Sequence, residues 1–272
     1  MTDNTIEFGQ PGNNGRPLFL PFGKSADVTT WIGTRTEYNS LQAKLDRRFS
    51  GGLLVTSSYT LGRGWSYVNG DSNTTIATPA DIERSWARTD QDRLHSFVES
   101  FLYQLPVGPD RRWLRDGPLS QVLGGWQLSG IFTAQSGSPI GITMANATLN
   151  APGNTQRPNQ NGTPSVLGAV GPGALWFDTA VFSSPAANTF GNAPRNGSLD
   201  GPKYVNLDAT LAKLFSIQSR VKGEFRVDIF NITNTPHFNN PNGTFLGATF
   251  GQITSTIAGS ERSMRFGFRL MF

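Results

Sequence analysis

The alternation of apolar and polar residues predicts an all-β chain: a partial antiparallel transmembrane β-barrel of about seven strands with long extracellular loops. Three observations predict it. The last ten residues, Ser263 to Phe272, set Met264, Phe266, Phe268, Leu270 and Phe272 on one side of a strand and Arg265, Gly267 and Arg269 on the other. The same zigzag recurs upstream. The connections between the zigzag segments alternate short and long for most of the chain, as those of a transmembrane meander do.

The bulk numbers narrow the function classes. The net charge of +4 and a charged fraction of 15% exclude a polybasic nucleic-acid binder. No run approaches the ~18 apolar residues of a membrane helix. The mean hydropathy of -0.31 is no argument against a membrane barrel, whose strands present only alternate residues to lipid and whose loops are polar. With no cysteine, disulfides and thiolate metal sites are excluded. The first fifteen residues lack the basic and apolar regions of a signal peptide, so targeting information for an envelope protein is expected upstream of Met1.

Residues 1–36 are rich in Gly, Pro and Asn and read as a loop leading into the barrel. Two prolines within Pro17–Phe22 make that apolar patch a poor ladder strand. Residues 37–272 read as the barrel segment. Leu41, Ala43, Leu45 and Phe49 alternate with Ser40, Gln42, Lys44, Asp46 and Arg48, and Ser50-Gly51-Gly52 turns the chain into a second run bearing Leu53, Val55, Tyr59 and Leu61. A third strand spans about Arg93 to Leu105, but its facing stays open, because Glu99 shares parity with Phe97, Phe101 and Tyr103. The fourth, Gly125 to Gln135, places Trp126, Leu128, Gly130, Phe132 and Ala134 on one side. Ser136 to Pro202 has no sustained period, and a loop of that length is ordinary only outside a barrel. Tyr204 to Phe215 is the fifth strand. In the sixth, Val221, Phe225, Val227 and Ile229 alternate with Lys222, Glu224, Arg226 and Asp228, four charges that require water on their face. The last zigzag is the seventh.

Placing Phe272 in the periplasm puts the connections 50–52, 106–121 and 216–219 on that side and 62–91, 136–202 and 235–260 outside. An odd count of strands ending inside must begin outside, so the chain is expected to be the C-terminal part of a larger barrel.

Several blocks carry a resemblance. Y-N-S-L-Q-A-K-L-D-R-R-F-S-G-G-L (38–53), D-R-L-H-S-F-V (92–98), L-G-G-W-Q-L-S-G-I (123–131), Q-S-G-S-P (135–139), F-N-I-T-N (230–234) and the closing zigzag resemble the C-terminal barrel of TonB-dependent receptors, in the Oar-like branch. The resemblance implies an outer-membrane barrel of about 22 strands with a plugged lumen. It also implies uptake driven by the TonB complex through an N-terminal region that this sequence does not show. The ending from Met264 to Phe272 looks like the C-terminal signal of bacterial outer-membrane barrels, which makes the barrel-assembly machinery an expected partner beside outer-membrane lipid. Lys222, Glu224, Arg226, Asp228, Arg265 and Arg269 are then expected to face the lumen.

No catalytic, metal or cofactor site is expected. His95 and His237 have no partner at ligand or triad spacing. Asp81, Glu83, Asp90 and Asp92 lie among Arg84, Arg88 and Arg93, and read as a solvated, mutually paired loop rather than a calcium site. Trp31, Trp65, Tyr67, Trp86 and Trp126 suit interfacial anchors or ligand contacts. Two rival folds carry their own expectations. A soluble β-sandwich binding module buries Phe266, Phe268 and Leu270 in a dry core, and a small self-closing barrel pairs Pro17–Phe22 with the last strand.

Overall fold

A computed structural model describes residues 2–3, 12–26, 28–29, 35–67, 85–109, 111–144, 157–186, 189, 191–218 and 220–272. Seven strands, β1 (Thr36–Ser50), β2 (Leu53–Ser66), β3 (His95–Gln104), β4 (Trp126–Gln135), β5 (Tyr204–Gln218), β6 (Val221–Phe230) and β7 (Ser263–Met271), form one sheet whose spatial order is the chain order. Every neighbouring pair is antiparallel. Ala87–Arg88 adds a short ladder to the end of β2. Gly51 and Gly52 both take positive φ in the β1–β2 turn, where a side chain would strain the backbone.

The register sorts side chains between two faces. Residues opposite one another across a ladder point to the same side. Phe225, Val227 and Ile229 of β6 oppose Phe268, Phe266 and Met264 of β7, while Glu224, Arg226 and Asp228 oppose Arg269, Gly267 and Arg265. The apolar side continues through Ala209, Leu211 and Phe215 of β5, Leu128, Gly130 and Phe132 of β4, and Val55, Tyr59 and Leu61 of β2. It also settles β3: Phe97 opposes Tyr59 and Ala134, and Phe101 opposes Val55 and Gly130, so the aromatics lie on the apolar side. Glu99 lies there with them, between Ser57 and Phe132, and its carboxylate accepts a hydrogen bond from the Ser57 hydroxyl at 3.0 Å.

No second sheet among the described residues covers that apolar side. Among the described residues the other sheets are two-stranded ladders, and Phe266 is 71% and Phe268 62% exposed. The dry core of a β-sandwich is therefore absent at these residues, and that rival fails. The self-closing barrel fails too. Phe19–Phe22 is a helical turn ended by left-handed Gly23, and β7 pairs with β6 alone among the described residues. No described helix is long and apolar enough to cross a membrane, which says nothing of strands.

The buried core sits elsewhere. Ile140, Ile142, Phe177, Phe182 and Leu199 pack together with Trp176, Val181, Phe245 and Phe250 around them. The Phe250 ring meets Phe177 and Phe182 edge-on at 5.4 and 5.6 Å. These residues come from the connections 136–202 and 235–260. The expectation of a plain long loop needs correction there, because short ladders stitch those connections into a compact body. Pro139–Gly141 pairs with Asn196–Asp200, Asn159–Gln160 with Phe182–Ser183, and Thr143–Met144 with Thr244–Phe245.

Candidate functional site

The sheet presents its charges as a continuous strip. Lys222, Glu224, Arg226 and Asp228 run along one face of β6, with Arg265 and Arg269 beside them on β7. The Arg226 guanidinium donates from Nε to both Asp228 carboxylate oxygens at 2.7 and 2.9 Å, and the Thr210 hydroxyl of β5 donates to Asp228 at 2.6 Å. Arg265 lies over the Phe230 ring at 5.2 Å, where cation and π-face attract. Met264, Phe266, Phe268 and Leu270 line the opposite face of β7, and Phe272 follows the strand at 94% exposure. Met271 is the exception in that strand, because it falls on the charged face opposite Lys222.

At the end of the sheet that carries the long connections, the polar face deepens into a cleft. One lobe, about 400 Å³, lies between Arg93, Gln135, Lys203, Tyr204, Phe238 and Asn239. A second lobe of about 260 Å³ includes Asn206, Asp208, Glu261 and Arg265, and the two lobes share Tyr204 and His237. Buried His237 has its ring 4.3 Å from that of Tyr204, and its Nε2 is 2.9 Å from the Val205 carbonyl. A carbonyl only accepts, so Nε2 carries a proton, and in the neutral ring Nδ1 is left as an acceptor. Asn206 donates from Nδ2 to Asp208 at 2.9 Å. Its Oδ1, and the Nδ1 of His237, are buried with no hydrogen-bond partner.

The walls of the cleft are held from behind. Asn231, at φ 49°, donates its amide N–H to Asp208 at 2.8 Å, and its side chain donates to the carbonyls of Thr235 and Ser260 at 2.9 and 2.7 Å. Asn239 donates to the Ser255 hydroxyl and the Thr256 carbonyl. Arg93 donates to the Ser136 carbonyl at 2.7 Å. Burial pulls the Arg93 guanidinium below its ordinary pKa, with Asp200 acting against the shift.

Beside the cleft, a buried ion-pair network ties the connections to the sheet. Asp92 accepts from Gly64 N–H at 2.8 Å, Arg63 at 2.9 Å and Arg88 at 2.6 Å, and Arg88 also donates to Asp200 at 2.6 Å. Arg195 donates to the Ser66 and Ser85 carbonyls. Burial alone would push the Asp92 carboxyl up, but those donors together outweigh it and hold the carboxyl below its usual range. Asp90 accepts from Asn196 at 2.5 Å. Asp81, Glu83, Arg84 and Trp31 lie outside the described residues, within which no group of three or more His, Asp or Glu is placed to hold a metal.

The expected site residues thus fall into two sets on opposite faces, and the cleft was not among the expectations. His95, the other histidine, bonds the Tyr59 hydroxyl at 2.8 Å and lies away from the cleft. Trp126 sits at the far end of the sheet under the Lys213 ammonium, whereas Trp65, Trp86 and Tyr67 cluster at the cleft end, with Trp86 stacked against Trp65.

A sheet with one greasy exposed face and one charged face is the wall of a membrane-spanning barrel. The family comparison narrows this: the model of the outer membrane beta barrel domain matches residues 4–265, and the chain belongs to that family, placing it in the outer membrane. Comparison with curated proteins and with solved structures gave no match.

Proposed function

We propose that this chain is the C-terminal wall of a TonB-dependent receptor barrel, of the Oar-like branch, that takes up a substrate across the outer membrane. The register of β6 against β7 carries the reading: it gathers the charges of both strands on one face and their aromatics on the other. Hydrocarbon tolerates only the second face and an aqueous lumen suits only the first. The chain contributes binding and passage rather than catalysis and uses no cofactor. Its partners are outer-membrane lipid, the barrel-assembly machinery acting on β7, and the TonB complex acting through an N-terminal region.

The absence of cysteine makes the chain ready for a direct test. Single cysteines replacing Arg226 and Val227 are probed in outer-membrane vesicles with a water-soluble maleimide. Labelling at 226 and protection at 227 are expected, and equal labelling overturns the wall. The receptor role predicts that protein isolated from its own outer membrane is retained by the immobilised periplasmic domain of TonB. No retention, together with steady ion conductance in planar bilayers, would assign a plain open pore instead.

A further inference from the structure

We infer that the two-lobed cleft over Tyr204 and His237 is a binding site for a hydroxyl-rich saccharide. The inference rests on the polar face being wet, as proposed above, and adds the chemistry of what that face binds.

Two features of the cleft select the ligand. Its unsatisfied atoms are both acceptors: Asn206 Oδ1 and His237 Nδ1 are buried and have no donor. A buried polar group without a partner is costly, so the site favours a ligand that brings hydrogen-bond donors. A carboxylate or phosphate brings only acceptors and would leave both atoms unpaired. An ammonium brings donors but meets Arg93, Lys203 and Arg265 against the two carboxylates Asp208 and Glu261, a balance that disfavours a cation. A hydroxyl is donor and acceptor at once. It satisfies the two orphans and accepts from Arg93, Lys203 and the amides.

The remaining lining fits a sugar ring. Tyr204 and Phe238 offer aromatic surface for its C–H faces, and Gln135 and Asn239 offer amides at its edge. Two adjoining hollows of about 400 and 260 Å³, both lined by Tyr204 and His237, give room for more than one sugar ring, as a short oligosaccharide requires.

The test uses the full chain in detergent micelles on an array of neutral mono- to tetrasaccharides, with citrate and spermidine titrated in parallel by calorimetry. Binding of one or more neutral glycans is expected. Two variants then locate it. Lys203→Ala removes an exposed cation at the mouth of the cleft. His237→Gln places an amide N–H where Nε2 donates to Val205 but removes the ring acceptor. Each is expected to weaken glycan binding at least tenfold. Because His237 is buried, circular dichroism checks that its variant folds, and Lys203→Ala stands as the measure if it does not. Binding of citrate or spermidine in preference to glycans, binding of none of the probes, or glycan binding untouched by the variants overturns the inference. The cysteine labelling pattern is independent of all three results, so failure here and failure of the wall are told apart.

Discussion

The sheet and the loop body of this chain draw on the same residue types and solve opposite problems. In the loop body Phe177 is wholly buried, wrapped by Phe182, Phe250 and Ile142, as in any water-soluble core. In β7, Phe266 and Phe268 stand exposed on a face that no other described part of the chain covers. Sequence composition does not separate the two regions; the solvent does. Where water is the surroundings, aromatics must find each other to be stable, and where hydrocarbon is, they can point outward along a single layer. The loop body is held by its own packing, whereas the wall depends on the lipid against it.

If the two regions stand independently, damage to the loop body leaves the wall intact. Phe177→Ala deletes the central ring and is expected to cost about 3–5 kcal/mol, since the cavity lies where nothing can collapse into it cheaply. Hydrogen exchange by mass spectrometry in micelles is expected to show lost protection over 139–144, 176–183 and 196–200, with residues 205–229 unchanged. Equal loss in both regions would mean that they share one core. A charge on the wall is the reciprocal experiment. Phe266→Arg, near the middle of β7 and opposite Val227 in the β6–β7 ladder, is expected to cost about 2–4 kcal/mol, the range for Arg near the bilayer midplane. Urea unfolding in lipid vesicles measures it. The same substitution in a soluble sheet surface would be nearly silent, so a silent result contradicts the lipid assignment.

What the sequence revealed follows the same division. The seven strands are legible because a lipid-facing wall forces a period of two on every segment, down to the Gly51–Gly52 turn. The facing of β3 was not legible, because Glu99 breaks the pattern, and only its register partners Phe132 and Ser57 assign it. The loop body was illegible for a different reason: its core gathers Ile140, Phe177, Phe245 and Phe250 from segments over a hundred residues apart, through ladders too short to show a period. The charged strip was visible as four alternating charges in β6, while the cleft was not. Asn206 and Asp208 gave a faint signal, as a polar pair two apart on one strand face, but nothing local points to His237, which the fold brings against Val205 from beyond β6. The blocks that carry the family resemblance mark close approaches of backbone. In Q-S-G-S-P, a side chain on Gly137 would run into the Gly201 carbonyl. F-N-I-T-N sets Asn231 and Asn234 at positive φ.

A smaller effect separates the regions by pH. The Asp92 carboxyl is held lower in the folded protein than in the unfolded chain, so the unfolded chain binds more protons over that interval and stability rises with pH there. The contribution is complete above the ordinary carboxylate range, about pH 4, and is lost as pH falls through the lower folded-state value. Trp176, which donates to the Asp200 carbonyl beside the network, makes tryptophan fluorescence a suitable reporter. An acid step is expected in the native chain and is expected to vanish in Asp92→Asn, which should itself cost about 1–3 kcal/mol at neutral pH. A step that persists unchanged in the variant would assign the acid response to other carboxylates.

The smallest predicted effect tests the comparison most finely, because its sign, rather than its size, is informative. Glu99 is a carboxylate on the greasy face near the middle of β3, flanked by Phe97 and Phe101 along the strand and by Phe132 across it. If that face meets hydrocarbon, the one hydroxyl that Ser57 supplies is poor compensation for the water the carboxylate gives up. Glu99→Leu should then be neutral or stabilising by up to about 1 kcal/mol in vesicles, an acidic side chain costing less than a basic one at such a site. If a second protein covers β2 and β3 there and satisfies the carboxylate, the substitution strips a buried acceptor from its donors and destabilises instead. Urea midpoints in vesicles for the native chain, Glu99→Leu and Ser57→Ala decide between the two. Neutrality or stabilisation leaves the wall bare to lipid at β2 and β3, and a loss shared by Glu99→Leu and Ser57→Ala puts a protein contact there.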